Sequence, residues 1–176
     1  MTVLEDEHVR LRPASPDDAE ARFALGTDAD IVRMFGVSFA DAKPMTREAA
    51  EQWAQGLAED PHAWVIEVEG RLVGEIKLPS INARDQRASM ALAIYDRRLL
   101  EMGIGTEAIH LLLRHAFCEM KLHRIGIRVL AYNDRAIQSY AKCGFIVEGR
   151  ERETAFVDGE WHDDLMMGLL STEYQR

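Results

Sequence analysis

The spacing of apolar residues changes period along this chain, and each change marks an element. Val9-Arg10-Leu11-Arg12 alternates and predicts a first strand, stopped by Pro13. Ser15-Pro16-Asp17-Asp18 then reads as a helix start, with Ser15 as N-cap, Pro16 in the first turn and two acids favoured by the helix dipole. That helix runs to about Leu25, a shorter one covers residues 31–35, and residues 36–44 read as a loop. Thr46 signals a cap for a third helix through Trp53 to Leu57. The period then shortens. Ala63 to Val68 is β-rich, Glu69-Gly70 is a tight turn, and residues 71–78 form the return strand. A polar connection over residues 82–87 leads into another apolar strand, residues 89–95.

The following stretch carries the chemistry. Strand 89–95 runs into the turn Leu100-Glu101-Met102-Gly103-Ile104-Gly105-Thr106, and a long helix follows. Its apolar stripe, Ala108, Ile109, Leu112, Leu113, Ala116 and Phe117, has the 3.6-residue period of a buried helix face. A strand over residues 124–131 ends at Asn133, which opens a shorter helix that carries Tyr140 and closes at Gly144-Phe145. The tail reads as a hairpin: residues 145–150, a strand at 154–157, the turn Asp158-Gly159, and residues 161–170. The order βααα-βββ-αβα-ββ predicts one mixed α/β sheet with helices on both faces. At 176 residues, one domain over 1–176 is the default.

A glycine turn at a helix start exposes backbone N–H groups beside the positive end of the helix dipole, which suits a phosphate anion. Gly103-Ile104-Gly105 has that setting. It is not a dinucleotide fingerprint, because the third glycine is missing, and no Gly-Lys-Ser/Thr follows to make a P-loop. Asn133 is a credible N-cap, and Tyr140, seven residues on, tends to share its face. On spacing alone Tyr140 reads first as a core aromatic with a satisfied hydroxyl, ahead of a site residue.

Composition narrows the partners. A net charge of −9 argues against nucleic acid, which needs a basic stripe, and is compatible with a cationic amine or with simple solubility. No apolar run reaches membrane-spanning length, and the acidic start does not read as a signal peptide. Cys118 and Cys143 read as reduced core thiols of a cytoplasmic protein. His110 and His115 are five apart, the wrong spacing for joint metal ligation. No Gly-x-Ser-x-Gly elbow is present to suggest a serine hydrolase.

Several segments, in order, resemble the GNAT superfamily of N-acetyltransferases. The likeness is to the branch typified by ribosomal-protein-alanine acetyltransferases and relatives acting on polyamines or antibiotics. The segments are Val9-Arg10-Leu11-Arg12-Pro13 with Asp17-Asp18, Gly103-x-Gly105-Thr106-Glu107-Ala108, the run from Asn133 to Gly144-Phe145, Glu148-Gly149, and Asp158-Gly159-x-Trp161-His162-Asp163. The resemblance implies a single GNAT-like α/β domain whose mostly antiparallel sheet of about seven strands splays in the middle. It implies acetyl-CoA as cosubstrate, a primary amine as acceptor, no metal, and a homodimer.

By the same resemblance, the pantetheine arm would run between the strand bearing Ile94 and Tyr95 and the strand ending near Ala131. The pyrophosphate would meet N–H groups of Met102, Gly103, Ile104, Gly105 and Thr106. Asn133 would contact the arm and Tyr140 would stand by the thioester sulfur. Glu75 and Asp163 are candidates for the base, and each reads equally as a solvated or structural acid. Two departures from the family pattern matter. Leu100-Glu101-Met102 replaces a basic start to the loop, leaving Arg97, Arg98 or Arg135 to compensate, and Met90 stands near the place of a central-strand Glu. A catalytically degenerate acyl-CoA-binding module is the alternative these departures suggest, and a cofactor-free interaction protein is a third reading.

Overall fold

The computed structural model describes residues 2–174. The strands are β1 (Leu4–Glu5), β2 (Val9–Arg12), β3 (Ala63–Val68), β4 (Arg71–Lys77), β5 (Arg87–Ser89), β6 (Ala91–Ile94), β7 (Arg124–Leu130), β8 (Ile146–Val157) and β9 (Glu160–Leu170). The helices are α1 (Asp18–Leu25), α2 (Ala29–Arg33), α3 (Arg47–Glu59), α4 (Ile104–Arg114) and α5 (Asp134–Lys142). Strands β1-β2-β3-β4-β6 form an antiparallel sheet, and β5-β7-β9-β8 form a second sheet in which only β5 and β7 run parallel.

The apolar stretch 89–95, read above as one strand, divides at Met90. Residues before it pair with β7, and residues after it pair with β4. Together with the short β1, this division raises the strand count to nine among the described residues. The splay between β6 and β7 is a direct result, because one chain segment serves both sheets in turn.

Helices cover both faces of the first sheet, as the pattern of β3 requires. Ala63, Trp64, Val65 and Ile66 are all buried. Trp64 and Ile66 join the core beneath α4, while Ala63 and Val65 pack with Leu57 and Trp53 of α3 and Leu25 of α1. The predicted stripe of α4 is buried throughout, and the helix widens into a π-turn over His115–Glu119. At Gly74 an added Cβ would lie 2.1 Å from the Ala93 carbonyl oxygen, so only glycine lets β4 approach β6 this closely.

Local signals hold for the most part. Thr46 accepts the Ala49 N–H (3.1 Å) and caps α3. Asp28 caps α2, which starts at Ala29 and not at Ile31. The loop 36–44 is latched to the β8–β9 turn: Asp158 accepts from the Phe39 N–H and from Arg33, and its own N–H donates to the Ser38 hydroxyl. The two tail segments 145–150 and 154–157 are one strand, β8, whose register breaks between Glu151 and Ala155.

The start of α1 departs from expectation. The Ser15 hydroxyl caps nothing. Instead the Asp18 carboxylate reaches back, accepting the Ser15 N–H (2.7 Å) and two bonds from the Arg12 guanidinium (2.7 and 2.9 Å). Arg12 also donates to Glu67 at 2.6 Å, so β2, β3 and α1 are tied at one point. The charge-assisted bonds of the Arg12 fork hold the Asp18 carboxylate against the chain before the helix, and the start of α1 is left without a side-chain cap. Burial opposes ionisation of Asp18, but the bonds from Arg12 and Ser15 outweigh it and hold its pKa below the usual carboxylate value.

A depressed folded-state pKa contributes stability that is present above the ordinary carboxylate pKa and is lost as pH falls through the folded value. Asp18→Asn should therefore destabilise the protein by about 3 kcal/mol at pH 7. The deficit against wild type should shrink in strong acid. Urea melts at pH 7 and below pH 3 check both parts.

Candidate active site

The gap between β6 and β7 is the organising feature. Tyr95 N–H bonds to the Val73 oxygen, toward β4, and Met90 N–H bonds to the Gly126 oxygen, toward β7. Backbone direction alternates along a strand, so the N–H groups of Leu92 and Ile94 also point toward β7. There the sheets have parted, and these two amides face a cleft without a ladder partner. The cleft has two connected parts. One, of about 500 Å³, lies against the starts of α4 and α5. The other, of about 290 Å³, lies between the strands at Met90, Leu92, Ile127 and Val129. Asn133 and Tyr140 line both.

At the first part, Gly103 is the N-cap of α4 in the left-handed region (φ 86°), and no side chain caps this end. The leading N–H groups of the helix have no intrahelical acceptor, and they open beside the positive end of the dipole. The Thr106 hydroxyl bonds the Ser139 hydroxyl (2.8 Å), fixing α4 against α5.

The charges sort themselves clearly. Arg97 is tied to Asp30 and Asp28, and Arg98 to Asp96. Arg135 lines the cleft and is in no ion pair among the described residues, and neither is Lys142, seven residues further along α5 on the same face. Arg135 is thus the free cation among those the sequence offered, and Lys142 is a second that the helical spacing could have revealed. Glu101, with φ 66°, is also at the wall. Bare amides at a helix start plus two unpaired cations fit a diphosphate, with two acids, Glu101 and Asp134, on the same wall.

Asn133 caps α5 by accepting the Ala136 N–H (3.3 Å), which leaves its amide NH₂ free toward the cleft. Tyr140 is nine-tenths buried, stacked edge-on to Phe145 at 6.0 Å, and its hydroxyl has no hydrogen-bond partner among the described residues. Burial pushes its pKa up to about 12, with the neighbouring Cys143 adding to the shift. At neutral pH this hydroxyl is therefore a proton donor and not a base. Tyr140 is thus a core aromatic that also lines the cleft beside Asn133.

Of the predicted contacts, Ile94, Gly103, Ile104, Gly105, Thr106, Asn133, Arg135 and Tyr140 line the larger cleft. Met102 does not: it precedes the left-handed Gly103, which swings its side chain into solvent at 65% exposure. Tyr95 and Glu75 lie on the opposite face of the sheet, because strand alternation that points Ile94 into the cleft points Tyr95 away.

There Glu75 accepts from the Tyr95 hydroxyl (2.6 Å) and from Trp53 Nε1, with Lys77 at 3.4 Å. Burial, followed by the Glu75 charge, raises the Tyr95 pKa. Both residues line a cavity of about 320 Å³ that meets the cleft around the free edge of β6, at Ile31, Phe35 and Leu92. Asp163 is not at the cleft; it accepts from the Glu153 N–H and from Arg150 (both 2.8 Å) and fastens the hairpin. Its neighbour Asp164, which the sequence reading passed over, is buried at the cleft wall and bonded to Arg128 (2.5 Å) and Thr154 (2.6 Å).

This arrangement has known counterparts. A family model of the acetyltransferase (GNAT) domain matches residues 8–146. The chain belongs to that family and is an acetyl-CoA-dependent N-acetyltransferase. It is similar to the "Probable N-acetyltransferase YjcK" of Bacillus subtilis (strain 168), at 26% identity over 97% of this chain and 98% of the relative. It is also similar to the spermidine N(1)-acetyltransferase of Escherichia coli (strain K12), at 25% identity over 94% of this chain and 88% of that protein. Among solved structures, spermidine N-acetyltransferase from Vibrio cholerae, in complex with CoA and spermine, superposes with a TM-score of 0.80 at 23% identity. That match covers 96% of this chain and 99% of the other, and it shows the shared fold.

Gly105 tests the anion site. A Cβ there would touch only Leu92 Cδ2, at an ordinary 3.5 Å, so the fold tolerates a side chain. Gly105→Val should keep the wild-type melting profile while weakening acetyl-CoA binding at least about tenfold, or about 1.4 kcal/mol. Isothermal titration of acetyl-CoA checks it; wild-type affinity in a folded variant would move the site elsewhere.

Proposed function

We propose that this chain, acting as one domain in the cytoplasm, moves an acetyl group from acetyl-CoA directly to a primary amine. The observation that carries the reading is a convergence. The uncapped start of α4, the unpaired amides of β6 and the Tyr140 hydroxyl open into one connected cleft. In this reading the N–H groups of Gly103 to Thr106 hold the pyrophosphate, with Arg135 and Lys142 supplying the positive charge that Leu100-Glu101-Met102 lacks. Asn133 holds the pantetheine amides. The Leu92 or Ile94 N–H donates to the thioester oxygen as it gains charge.

The amine must lose a proton before its nitrogen can attack the carbonyl carbon. Glu75, at the head of the adjoining cavity, takes that proton through water. As the carbon–sulfur bond breaks, the electron pair stays on sulfur, and Tyr140 donates its proton to the departing thiolate. The proton released from nitrogen as the amide forms restores the tyrosine through solvent. No part of this scheme needs a metal. The polyamine-acetylating relatives support an amine acceptor.

Tyr140→Phe keeps the ring and its contact with Phe145, so packing and CoA affinity should survive. Single-turnover acetyl transfer should slow about 100-fold. An unchanged rate in the stable variant would hand the proton to water.

We also propose a homodimer. Ile146, Val147, Phe156 and Trp161 are each more than half exposed on the β8–β9 hairpin, and Phe156 and Trp161 stack on each other at 5.0 Å. Solvent-facing apolar groups in this number favour a second copy. Light scattering should give twice the chain mass at micromolar concentration, and Trp161→Glu should shift it toward the monomer. A monomer throughout the accessible range would refute the dimer.

A further inference from the structure

Arg22 lies on α1, nine-tenths buried, at the wall of the 320 Å³ cavity that holds Glu75. Its guanidinium carbon sits 3.9 Å from the centre of the Tyr95 ring, and one terminal nitrogen donates to the Gly26 carbonyl at 2.7 Å. Nothing else among the described residues satisfies it. Nε is fully buried without an acceptor, Nη2 has no partner, and no carboxylate stands within ion-pair reach among the described residues. A guanidinium cannot shed its charge, and a buried charge without a counter-ion is strongly disfavoured. The face of Tyr95 and one carbonyl compensate it only in part.

The other charges of the cavity are fixed. Glu75 gathers Tyr95, Trp53 and Lys77, and Asp28 caps α2 and lies 3.6 Å from Arg97. The remaining wall is apolar: Ile31, Val32, Phe35 and Leu92. The cavity therefore offers a cation without an ion-pair partner, the already hydrogen-bonded Glu75 carboxylate across from it, and an apolar surface between. It opens to the cleft at the β6 edge, where the thioester would lie.

We propose that this cavity is the acceptor subsite and that its acceptor is an amine bearing a carboxylate, of the α-amino acid class, with Arg22 gripping the carboxylate. The proposal rests on the acetyltransferase reading above and adds the chemical class of its acceptor. A planar fork matches a carboxylate in two parallel bonds, and forming them relieves the buried charge. The amine end then lies toward Glu75. A polyamine has no group for Arg22, and its second cation would meet Arg22 and Lys77 on the walls.

The test uses the full chain with acetyl-CoA and follows thiol release. Alanine, leucine and phenylalanine are each compared with the amine left by decarboxylation, which are ethylamine, isopentylamine and phenethylamine. Leucinamide and spermidine complete the panel. At least one amino acid should exceed its decarboxylated partner about 100-fold in kcat/KM, because a site built for a polar group rejects the analogue lacking it. In Arg22→Gln that ratio should collapse toward one. Arg22→Lys should restore part of it, with acetyl-CoA titration confirming an intact donor site in both. Should either variant fail to fold, isovalerate acting on the wild type as a competitive inhibitor against isopentylamine supplies the same support.

Equal turnover of acids and decarboxylated amines would overturn the carboxylate assignment while keeping the transferase reading. So would a preference for leucinamide or spermidine. Failure to bind acetyl-CoA, with no turnover on the whole panel, would sink the transferase reading itself.

Discussion

The structure depends on the parting of two sheets at Met90. One apolar segment hydrogen-bonds to β7 up to Ser89 and to β4 from Ala91, and Met90 sends its N–H to the Gly126 carbonyl at the fork. A continuous sheet would have satisfied every backbone group and left no room between strands. The fork leaves the β6 amides unpaired and creates a cleft walled by strand on both sides. Everything in the proposed chemistry is arranged around it. Helices α4 and α5 point their starts at its mouth, Tyr140 reaches it from the core, and α2 lies over its outer edge.

Charge pairing decides which groups remain available there. Arg97 and Arg98 flank the loop in sequence but are committed to aspartates, so proximity along the chain does not translate into positive potential at the cleft. Arg135 and Lys142 share the cleft face of α5 and form no ion pair among the described residues, although Glu101 and Asp134 line the same cleft. The same accounting separates Asp163, spent on the hairpin, from Asp164 one residue on, and leaves Arg22 with a π face where a carboxylate would be expected.

Much of this was readable from local pattern. The α4 stripe, the Thr46 cap, the Gly103 turn and the Asn133–Tyr140 spacing involve residues within two turns of each other, where sequence spacing nearly equals spatial spacing. What escaped was decided at a distance. Nothing local marks Met90 as the fork: β5 (Arg87-Ala88-Ser89) lies largely in the stretch that reads as a polar connection, and only the competition between β4 and β7 divides the segment. Glu75 and Tyr95 read as plausible cleft residues, and a strand's alternation carried them to the opposite face. Arg22 stands four residues after Asp18, the spacing of a surface ion pair along a helix. Arg12, from another element, claims that aspartate and leaves Arg22 for Tyr95.

The fork also has a consequence for life at high concentration. A strand edge with free amides is a template onto which any extended chain can add itself. In the proposed scheme the unpaired side of β6 is the working surface, so blunting it with proline or lysine would remove the site. It is instead kept short, at four residues, and shadowed by Ile31 and Phe35 of the α2 region. Phe35 is itself 54% exposed, which makes this shield a light one. A chain that loosens α2 would lose more than a wall of its cleft: it would uncover a sticky edge, and its failure would show first as aggregation.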